Sequence, residues 1–186
     1  MTKSIYDQLN ASGTVSKQRF VETFSGDALD TDRWTSPTTG AMADEVDGGY
    51  EISSGSIDFN DINQFAHNGC VAICLMKRAG TGNSYWGLMD TSSASHRAQV
   101  FEGTSNTYTQ LRTKDGTTLE VTDTNVAVNT NWNNYKLELD GSSVKLNING
   151  VLKATNSTNI PSVALQPVLG EATATTQFRY LEVYNT

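Results

Sequence analysis

The feature that most constrains the fold of this chain is a two-residue alternation of apolar and polar side chains in its last third. Residues 135–139 read Tyr-Lys-Leu-Glu-Leu and residues 144–148 read Val-Lys-Leu-Asn-Ile. Successive side chains of an extended strand point to opposite faces, so each segment has one apolar and one polar face. An Asp-Gly dipeptide follows the first segment and an Asn-Gly dipeptide follows the second. Both dipeptides favour tight hairpin turns, so we predict two consecutive antiparallel hairpins.

The same alternation, interrupted by turn residues, recurs from residue 20 to the C-terminus. The longest apolar run, residues 70–78, favours a strand buried on both faces in the middle of a sheet. Many short strands separated by turns are typical of a two-sheet sandwich, and 186 residues fit one such domain. The other predicted strands are residues 20–24, 50–52, 84–90, 97–102, 107–113 and 178–184. We predict an all-β, two-sheet antiparallel sandwich over residues 19–186.

Residues 1–18 differ in kind from this domain and are predicted to form a short N-terminal leader. Ile5, Tyr6 and Leu9 fall at near-helical spacing, which indicates either a short amphipathic helix or a frayed terminus. The leader has no apolar core of the kind found in signal peptides, and no stretch of the chain is apolar enough to span a bilayer. We expect the leader to dock on its own domain or on a neighbouring subunit. We also expect a cytoplasmic protein, or one that is released without a signal peptide.

The charge balance argues against two classes of partner. The chain has 13 Lys and Arg residues against 20 Asp and Glu residues, which gives a formal net charge of −7. A chain this acidic repels the phosphates of nucleic acids. No basic run predicts binding to an anionic membrane surface either. We therefore expect neither nucleic acid nor membrane as a partner.

The two cysteines are predicted to be buried free thiols. Cys70 and Cys74 lie an even number of residues apart on one predicted strand, so both point to the same face. Their Cα atoms would lie roughly 13 Å apart at about 3.3 Å per residue, which is too far for a disulfide.

Three segments carry motifs that can be compared with known families. Residues 132–150 begin a strand with a Trp and end the next strand at an Asn-Gly hairpin. Residues 24–34 and 47–52 form an aromatic-rich opening and a Gly-initiated strand. Together they resemble the concanavalin A-like lectin and glucanase superfamily, including its laminin G-like and laminarinase-like branches. The resemblance covers residues 20–186 and implies a jelly roll whose concave sheet is the usual glycan surface. It also implies that Trp34 and Trp132 pack in the core, because the tryptophans at these family positions are usually buried.

The resemblance also defines what an enzyme of this type would need. Laminarinase-like glycosidases carry Glu-x-Asp-x-(x)-Glu on a strand that follows the long central strand, with both glutamates pointing into the cleft. The nearest run here, Glu45, Asp47 and Glu51, is wrongly spaced, precedes the long strand and contains a Gly-Gly turn. We interpret these residues as turn and surface residues. The sequence therefore predicts no catalytic residue and a non-enzymatic protein.

The resemblance further implies a structural calcium, held by loop oxygens near the N-terminus and by an Asp in the last strand. Asp27, Asp30 and Asp32 would supply loop oxygens, but Arg179 stands where the final-strand Asp is expected. We predict no metal and no cofactor. Arg179 is expected to pair instead with one of those carboxylates.

The most informative surface pattern flanks the predicted loop at residues 103–106. If this loop joins two antiparallel strands, one face combines aromatic rings with amide and guanidinium groups, which stack on sugars and bind hydroxyls. An ordinary solvent-facing sheet is the alternative interpretation. Two directly opposed arginines would also repel each other unless an acid lay between them. We call this face the candidate glycan-binding face. In the simplest register, its residues face each other in three pairs: Phe101 with Tyr108, Gln99 with Gln110, and Arg97 with Arg112.

Two non-enzymatic functions and one enzymatic function are compatible with these features. The first is a lectin-like module that binds a glycan or another surface. The second is a structural subunit that docks to its neighbours through residues 1–18. Both suit a virion surface or tail protein of a phage, which lysis would release. The alternative is a divergent, laminarinase-like glycoside hydrolase. The sequence favours the non-catalytic module.

Overall fold

The described part of the chain is built from β-strands. A computed structural model describes residues 18–24, 30–35, 43–46, 49–53, 55–59, 65–90, 95–171 and 175–186. For residues 43–46 and 171 it describes the backbone alone. The described residues form fourteen strands and no helix, so none of their segments is a membrane-spanning helix. The strands are β1 (Arg19–Glu22), β2 (Ala43–Val46), β3 (Gly49–Ile52), β4 (Gly55–Asp58), β5 (Asn68–Arg78), β6 (Ser84–Met89), β7 (His96–Glu102), β8 (Tyr108–Asp115), β9 (Thr118–Ala127), β10 (Asn133–Asp140), β11 (Val144–Ile148), β12 (Val151–Asn156), β13 (Gln166–Glu171) and β14 (Thr176–Asn185).

The strands form two antiparallel sheets that pack face to face. Sheet A has eight strands in the order β12-β11-β10-β5-β14-β3-β2, and β1 also pairs with β14. Sheet B has six strands in the order β4-β13-β6-β7-β8-β9. One hydrophobic cluster joins the inward residues of both sheets, for example Leu137 of sheet A and Val100 of sheet B. The predicted all-β sandwich is therefore confirmed, while the predicted leader lies outside the described residues up to position 17.

The long apolar run forms β5, which lies between β10 and β14 in the middle of sheet A as predicted. Its burial on both faces is only partly confirmed. Cys74 and Met76 are fully buried on the inward face, whereas Ile73 and Leu75 are partly exposed on the other. Both cysteines are free and buried as predicted, and burial raises the pKa of Cys70 to about 12.

The aromatic core corrects one packing prediction. Trp34 is buried, with its ring centroid 5.8 Å from that of Phe20 and 5.7 Å from that of Phe59. Trp132 was also expected to be buried, but it is partly exposed, and the guanidinium carbon of Arg179 lies 4.2 Å from its ring centroid. Alternation explains this difference, because Asn133 is the first inward residue of β10 and its predecessor points outward.

The Asn-Gly hairpin between β11 and β12 is formed as predicted. Ile148 pairs with Val151, and the two turn residues Asn149 and Gly150 have φ angles of 51° and 80°. Positive φ at both central residues is the geometry that Asn-Gly favours.

Gly150 permits a clean test of this turn, because a Cβ added there would meet no atom within 4 Å. We expect Gly150→Ala to lower the free energy of unfolding by about 1 kcal/mol, since the left-handed conformation strains Ala without any clash. Gly150→Asn should lose less, because Asn tolerates that conformation. Urea unfolding measures both variants, and equal losses would contradict a conformational origin.

Candidate glycan-binding site

The candidate face predicted from the sequence is the outward face of sheet B, on strands β7 and β8. Ala98 and Val100 of β7 and Leu111 of β8 are fully buried in the core. Alternation therefore turns five candidate residues outward on the two adjacent strands. We call this set the arginine face; it consists of Arg97, Gln99, Phe101, Gln110 and Arg112.

The register of this hairpin differs from the prediction by two residues. Phe101 pairs with Gln110, and Gln99 pairs with Arg112. Tyr108 instead pairs with Ala127 of β9, next to an irregularity in the β8–β9 ladder, and it is 37% exposed. Eight residues separate Phe101 from Gln110, against six between Phe101 and Tyr108 in the predicted register, and these two extra residues shift the pairing. Because the shift is even, every residue stays on its predicted face, although Tyr108 no longer opposes Phe101.

Arg112 is held in a fixed position on this face. Its guanidinium carbon lies 3.3 Å from the ring centroid of Phe101. Its Nε and Nη2 groups donate hydrogen bonds of 3.0 and 2.8 Å to Oε1 of Gln110, whose Nε2 donates one of 2.8 Å to Asp123. Burial, with a smaller contribution from the charge of Arg97, lowers the pKa of Arg112 to about 10. One face of the Phe101 ring therefore supports Arg112.

Three buried polar atoms on the outward side of sheet B have no hydrogen-bond partner. They are Oε1 of Gln99, Oε1 of Gln166 and Nε of Arg97. Gln99 is 3% exposed and Gln166 is 2% exposed, although alternation and pairing put both on the outward side. Buried polar groups are almost always hydrogen-bonded in folded proteins. Unpaired acceptors and an unpaired donor are the groups that hydrogen-bond a ligand with hydroxyl groups.

Strands β6 and β13 continue this outward face beside β7, and their contribution was not predicted from the sequence. Gly87 of β6 pairs with Gln99 on one side and with Val168 of β13 on the other. The Tyr85 ring covers Gly170, where an added Cβ would lie 2.6 Å from its Cε2 atom. These residues come from strands far apart in the sequence, so local alternation gives no signal that they share one face.

The carboxylates on this face lie at its two margins. Asp58 is on the edge strand β4, where it pairs with Val168 and burial raises its pKa. Asp123 is on the opposite edge strand β9. Five strand spacings of about 4.8 Å separate the two strands, far more than the 5 to 9.5 Å between the acids of a glycosidase. Among the described side chains, no strand of sheet B presents the Glu-x-Asp-x-Glu pattern outward.

The other acidic residues considered in the sequence lie elsewhere. Glu45 and Glu51 belong to β2 and β3 of sheet A, and Glu51 accepts a 2.9 Å hydrogen bond from Gln177. Asp47 lies outside the described residues. Glu45 and Glu51 of the mis-spaced triplet thus lie on paired strands of the sheet that does not contain the arginine face.

The resemblance implied Asp27, Asp30 and Asp32 as loop ligands of a calcium ion. In the described part of the chain, these acids do not form an oxygen cluster. Asp30 lies 3.6 Å from Nε of Arg33, and its Oδ1 accepts a hydrogen bond from the backbone N–H of Asp32. Asp27 lies outside the described residues. No group of three or more His, Cys, Asp or Glu side chains suited to a metal occurs among the described residues. The ion pair of Asp30 is made with Arg33.

Comparisons with known proteins define the class of fold. No family model and no curated protein matches the chain. Among solved structures, the Crh5 transglycosylase in complex with NAG superposes with a TM-score of 0.69 at 17% identity, over 90% of this chain and 84% of that one. The Bacillus licheniformis beta-glucanase superposes with a TM-score of 0.61 at 13% identity, over 90% of this chain and 98% of that one. A Mycobacterium tuberculosis protein described as an immunostimulatory antigen and pseudo beta-1,3-glucanase gives 0.62 at 12% identity, over 90% and 98%.

The chain therefore has the concanavalin A-like jelly-roll fold found in glycoside hydrolases and transglycosylases. This finding corrects the functional prediction made from the sequence. The expected non-enzymatic lectin-like or virion module is overturned, because the structures that share the fold are glycosidases and transglycosylases. The glycoside hydrolase-like alternative is the better supported of the two.

Proposed function

We propose that this protein acts on a glycan chain that lies across the outward face of sheet B, as glycoside hydrolases and transglycosylases do. The observation that carries the proposal is the set of buried, unpartnered polar atoms on that face, on Gln99, Gln166 and Arg97. A sugar hydroxyl both donates and accepts hydrogen bonds, so a glycan satisfies amide oxygens and a guanidinium donor together. The shared fold supports the same class of ligand.

The extent of the face favours an oligosaccharide over a single sugar. Gln166 lies on β13 and Arg112 on β8, with β6 and β7 between them. Three strand spacings of about 4.8 Å make this distance about 14 Å along the sheet. The binding groups therefore form a row across four strands.

Asp58 is the general-acid candidate on this face. A general acid must still hold its proton near the working pH, which requires a raised pKa. Asp58 is partly buried beside Val168, and this burial raises its pKa. A glycosidase also needs a base or a nucleophile, and the described side chains of this face place no second carboxylate within the required distance. Binding and turnover must therefore be measured separately.

The test is a polysaccharide panel assayed for new reducing ends and for transfer to a fluorescent oligosaccharide acceptor. We expect turnover of at least one polymer, and we expect Asp58→Asn to lower kcat by about 100-fold or more, the usual contribution of a general acid. Binding of that polymer should change little. Glu138→Gln, which removes a carboxylate from β10 of sheet A, is the control and should keep most of the activity.

Each outcome bears on a separate part of the proposal. Binding of a glycan without cleavage or transfer of any polymer would contradict the enzymatic part. Full activity of Asp58→Asn would reject Asp58 as the acid. If no polymer bound or reacted, the glycan function as a whole would be rejected.

A further inference from the structure

We propose that the glycan bound on the arginine face is acidic, and that its carboxylate or sulfate groups are bound by Arg97, Arg112 and Lys114. This inference rests on the proposed function and adds the chemical class of the substrate. It follows from three positive charges that the fold places together and that form no salt bridge with a carboxylate of the described residues.

The cluster is defined by the register of β7 and β8. Arg97 lies directly opposite Lys114, and Arg112 lies opposite Gln99, the outward neighbour of Arg97 on the same strand. Like charges that oppose each other across a sheet destabilise it. Among the described residues, none of the three cations forms a salt bridge with a carboxylate.

Three acids that are close to the cluster in sequence or in strand pairing interact with other groups. Asp115, next to Lys114 in sequence, lies 3.2 Å from Nε2 of His96, and Asp90 lies 3.0 Å from Nδ1 of the same ring. Asp123 accepts the amide of Gln110. Among the described residues, Arg112 therefore reaches a carboxylate only through the side-chain amide of Gln110, and its charge is not directly neutralised.

Burial makes the unpaired charges unfavourable in the free protein. It lowers the pKa of Arg97, and together with the charge of Arg97 it lowers that of Arg112 to about 10. A charge that has lost water and gained no counter-charge costs folding free energy. An anionic group bound between the two guanidinium groups would supply the missing interaction. Arginine is suited to it, because its planar donors match carboxylate and sulfate oxygens in pairs.

Gln99 indicates that the anion is carried by a sugar. Its unpartnered Oε1 lies on the face between the two arginines and accepts a hydrogen bond. Sulfate and chloride ions have no hydrogen to donate, whereas a uronic acid or a sulfated sugar has hydroxyls beside its charge. The face therefore matches a ligand that is both anionic and hydroxylated.

The test uses calorimetric titration of the whole chain with three oligosaccharides of equal length. The first is an oligogalacturonate, the second is the same compound with its carboxylates reduced to alcohols, and the third is a sulfated galactan fragment. We expect at least one charged compound to bind at least tenfold more tightly than the reduced one, and to lose affinity as salt is raised. The charged compound that binds identifies carboxylate or sulfate as the recognised group.

Variants then assign the effect to the cluster. Arg97→Gln and Arg112→Gln should each weaken binding of the charged compound by about tenfold or more, which is the scale of one charge-assisted hydrogen bond. Arg112→Lys should recover part of this loss, because it keeps the charge without the planar fork. Lys153→Gln removes an equal charge from an exposed position on β12 of sheet A and should leave binding unchanged. Cooperative unfolding at melting temperatures no lower than that of the unsubstituted protein shows that the variants are folded.

The outcomes separate this inference from the proposed function. If the reduced oligosaccharide binds as tightly as the charged ones, or if the arginine variants bind normally, the acidic substrate is rejected while a glycan function stands. If neither these compounds nor any polymer of the panel binds or reacts, both are rejected.

Discussion

Replacing Gly87 by Ala is expected to lower the free energy of unfolding by about 3 kcal/mol, at the upper end of the cost of overpacking. A Cβ at this position would lie 2.8 Å from Cα of Gln99 and closer still to the carbonyl oxygen of Ala98. Both atoms belong to the backbone of β7, so no side chain can move aside. Strands β6 and β7 would have to separate, and the fully buried side chains of Trp86 and Leu88 beside them would lose packing.

Gly170→Ala is the matched control for this prediction. It adds the same methyl group to the same sheet, but the atoms in its way are the far end of the Tyr85 ring, which can rotate. We expect a smaller loss of stability there. Urea unfolding of both variants, with glycan binding of the folded fraction, measures the difference. A loss for Gly87→Ala no greater than that for Gly170→Ala would show that backbone contact is not what requires the glycine.

Gly87 also connects stability with the proposed site. It lies in the same cross-strand row as Val168, Gln99 and Arg112. Because Gly87 has no side chain, β6 adds no side-chain atom to the outward face directly beside Gln99. The close approach of β6 and β7 and the bare backbone beside Gln99 therefore have the same cause.

Local alternation predicted most of the strands and the faces of β7 and β8, but it did not predict β2, β4, β9 and β13. The Asn-Gly hairpin at residues 149–150 and the outward position of Arg97, Gln99 and Arg112 were all predicted correctly, because a two-residue period and turn chemistry are properties of neighbouring residues. The pairing of Phe101 with Gln110 was missed, because it depends on where the loop after β7 ends. A two-residue error in register leaves the faces intact, so the error did not change which residues form the face.

The remaining parts of the site depend on contacts between distant segments. Gln166, Gly87 and Asp58 come from β13, β6 and β4, which meet only when sheet B is assembled. Burial without a partner, as for Gln99, is likewise a property of the packed structure. The prediction of a non-enzymatic protein was wrong for a related reason. It depended on one motif on one strand, whereas the class of fold is defined by the arrangement of both sheets.

For an enzyme of this fold class, strand β7 has an unusual outward face. The resemblance places the catalytic acids of laminarinase-like enzymes on a strand after the long central strand. Here β7 occupies such a position in the chain and presents Arg97, Gln99 and Phe101 outward. In the proposed function, these groups recognise and orient the substrate. If the protein cleaves its glycan, the acid must come from another strand, which is why Asp58 of β4 is the residue to test.

A buried carboxyl group that joins the two sheets should make the stability of the protein depend on pH. Glu102 of sheet B is 1% exposed, and its Oε1 accepts hydrogen bonds of 2.6 Å from the hydroxyl of Tyr135 in sheet A and of 2.9 Å from Thr109. Burial raises the pKa of Glu102, and the hydrogen bonds offset only part of this effect. The folded state therefore holds this proton more tightly than the unfolded state does. Its contribution to stability should fall as pH rises from about 4.5, the ordinary value, through the raised pKa.

Two variants isolate this effect in thermal and urea unfolding across that pH range. Glu102→Gln keeps the shape but cannot ionise, so the decrease in stability with rising pH should be smaller than in the unsubstituted protein. Tyr135→Phe removes one donor to the carboxyl group and should cost about 2 kcal/mol at neutral pH, and less in acid, because a hydrogen bond to the charged form is the stronger one. The explanation would be wrong if Glu102→Gln kept the full pH slope, or if Tyr135→Phe cost the same at every pH.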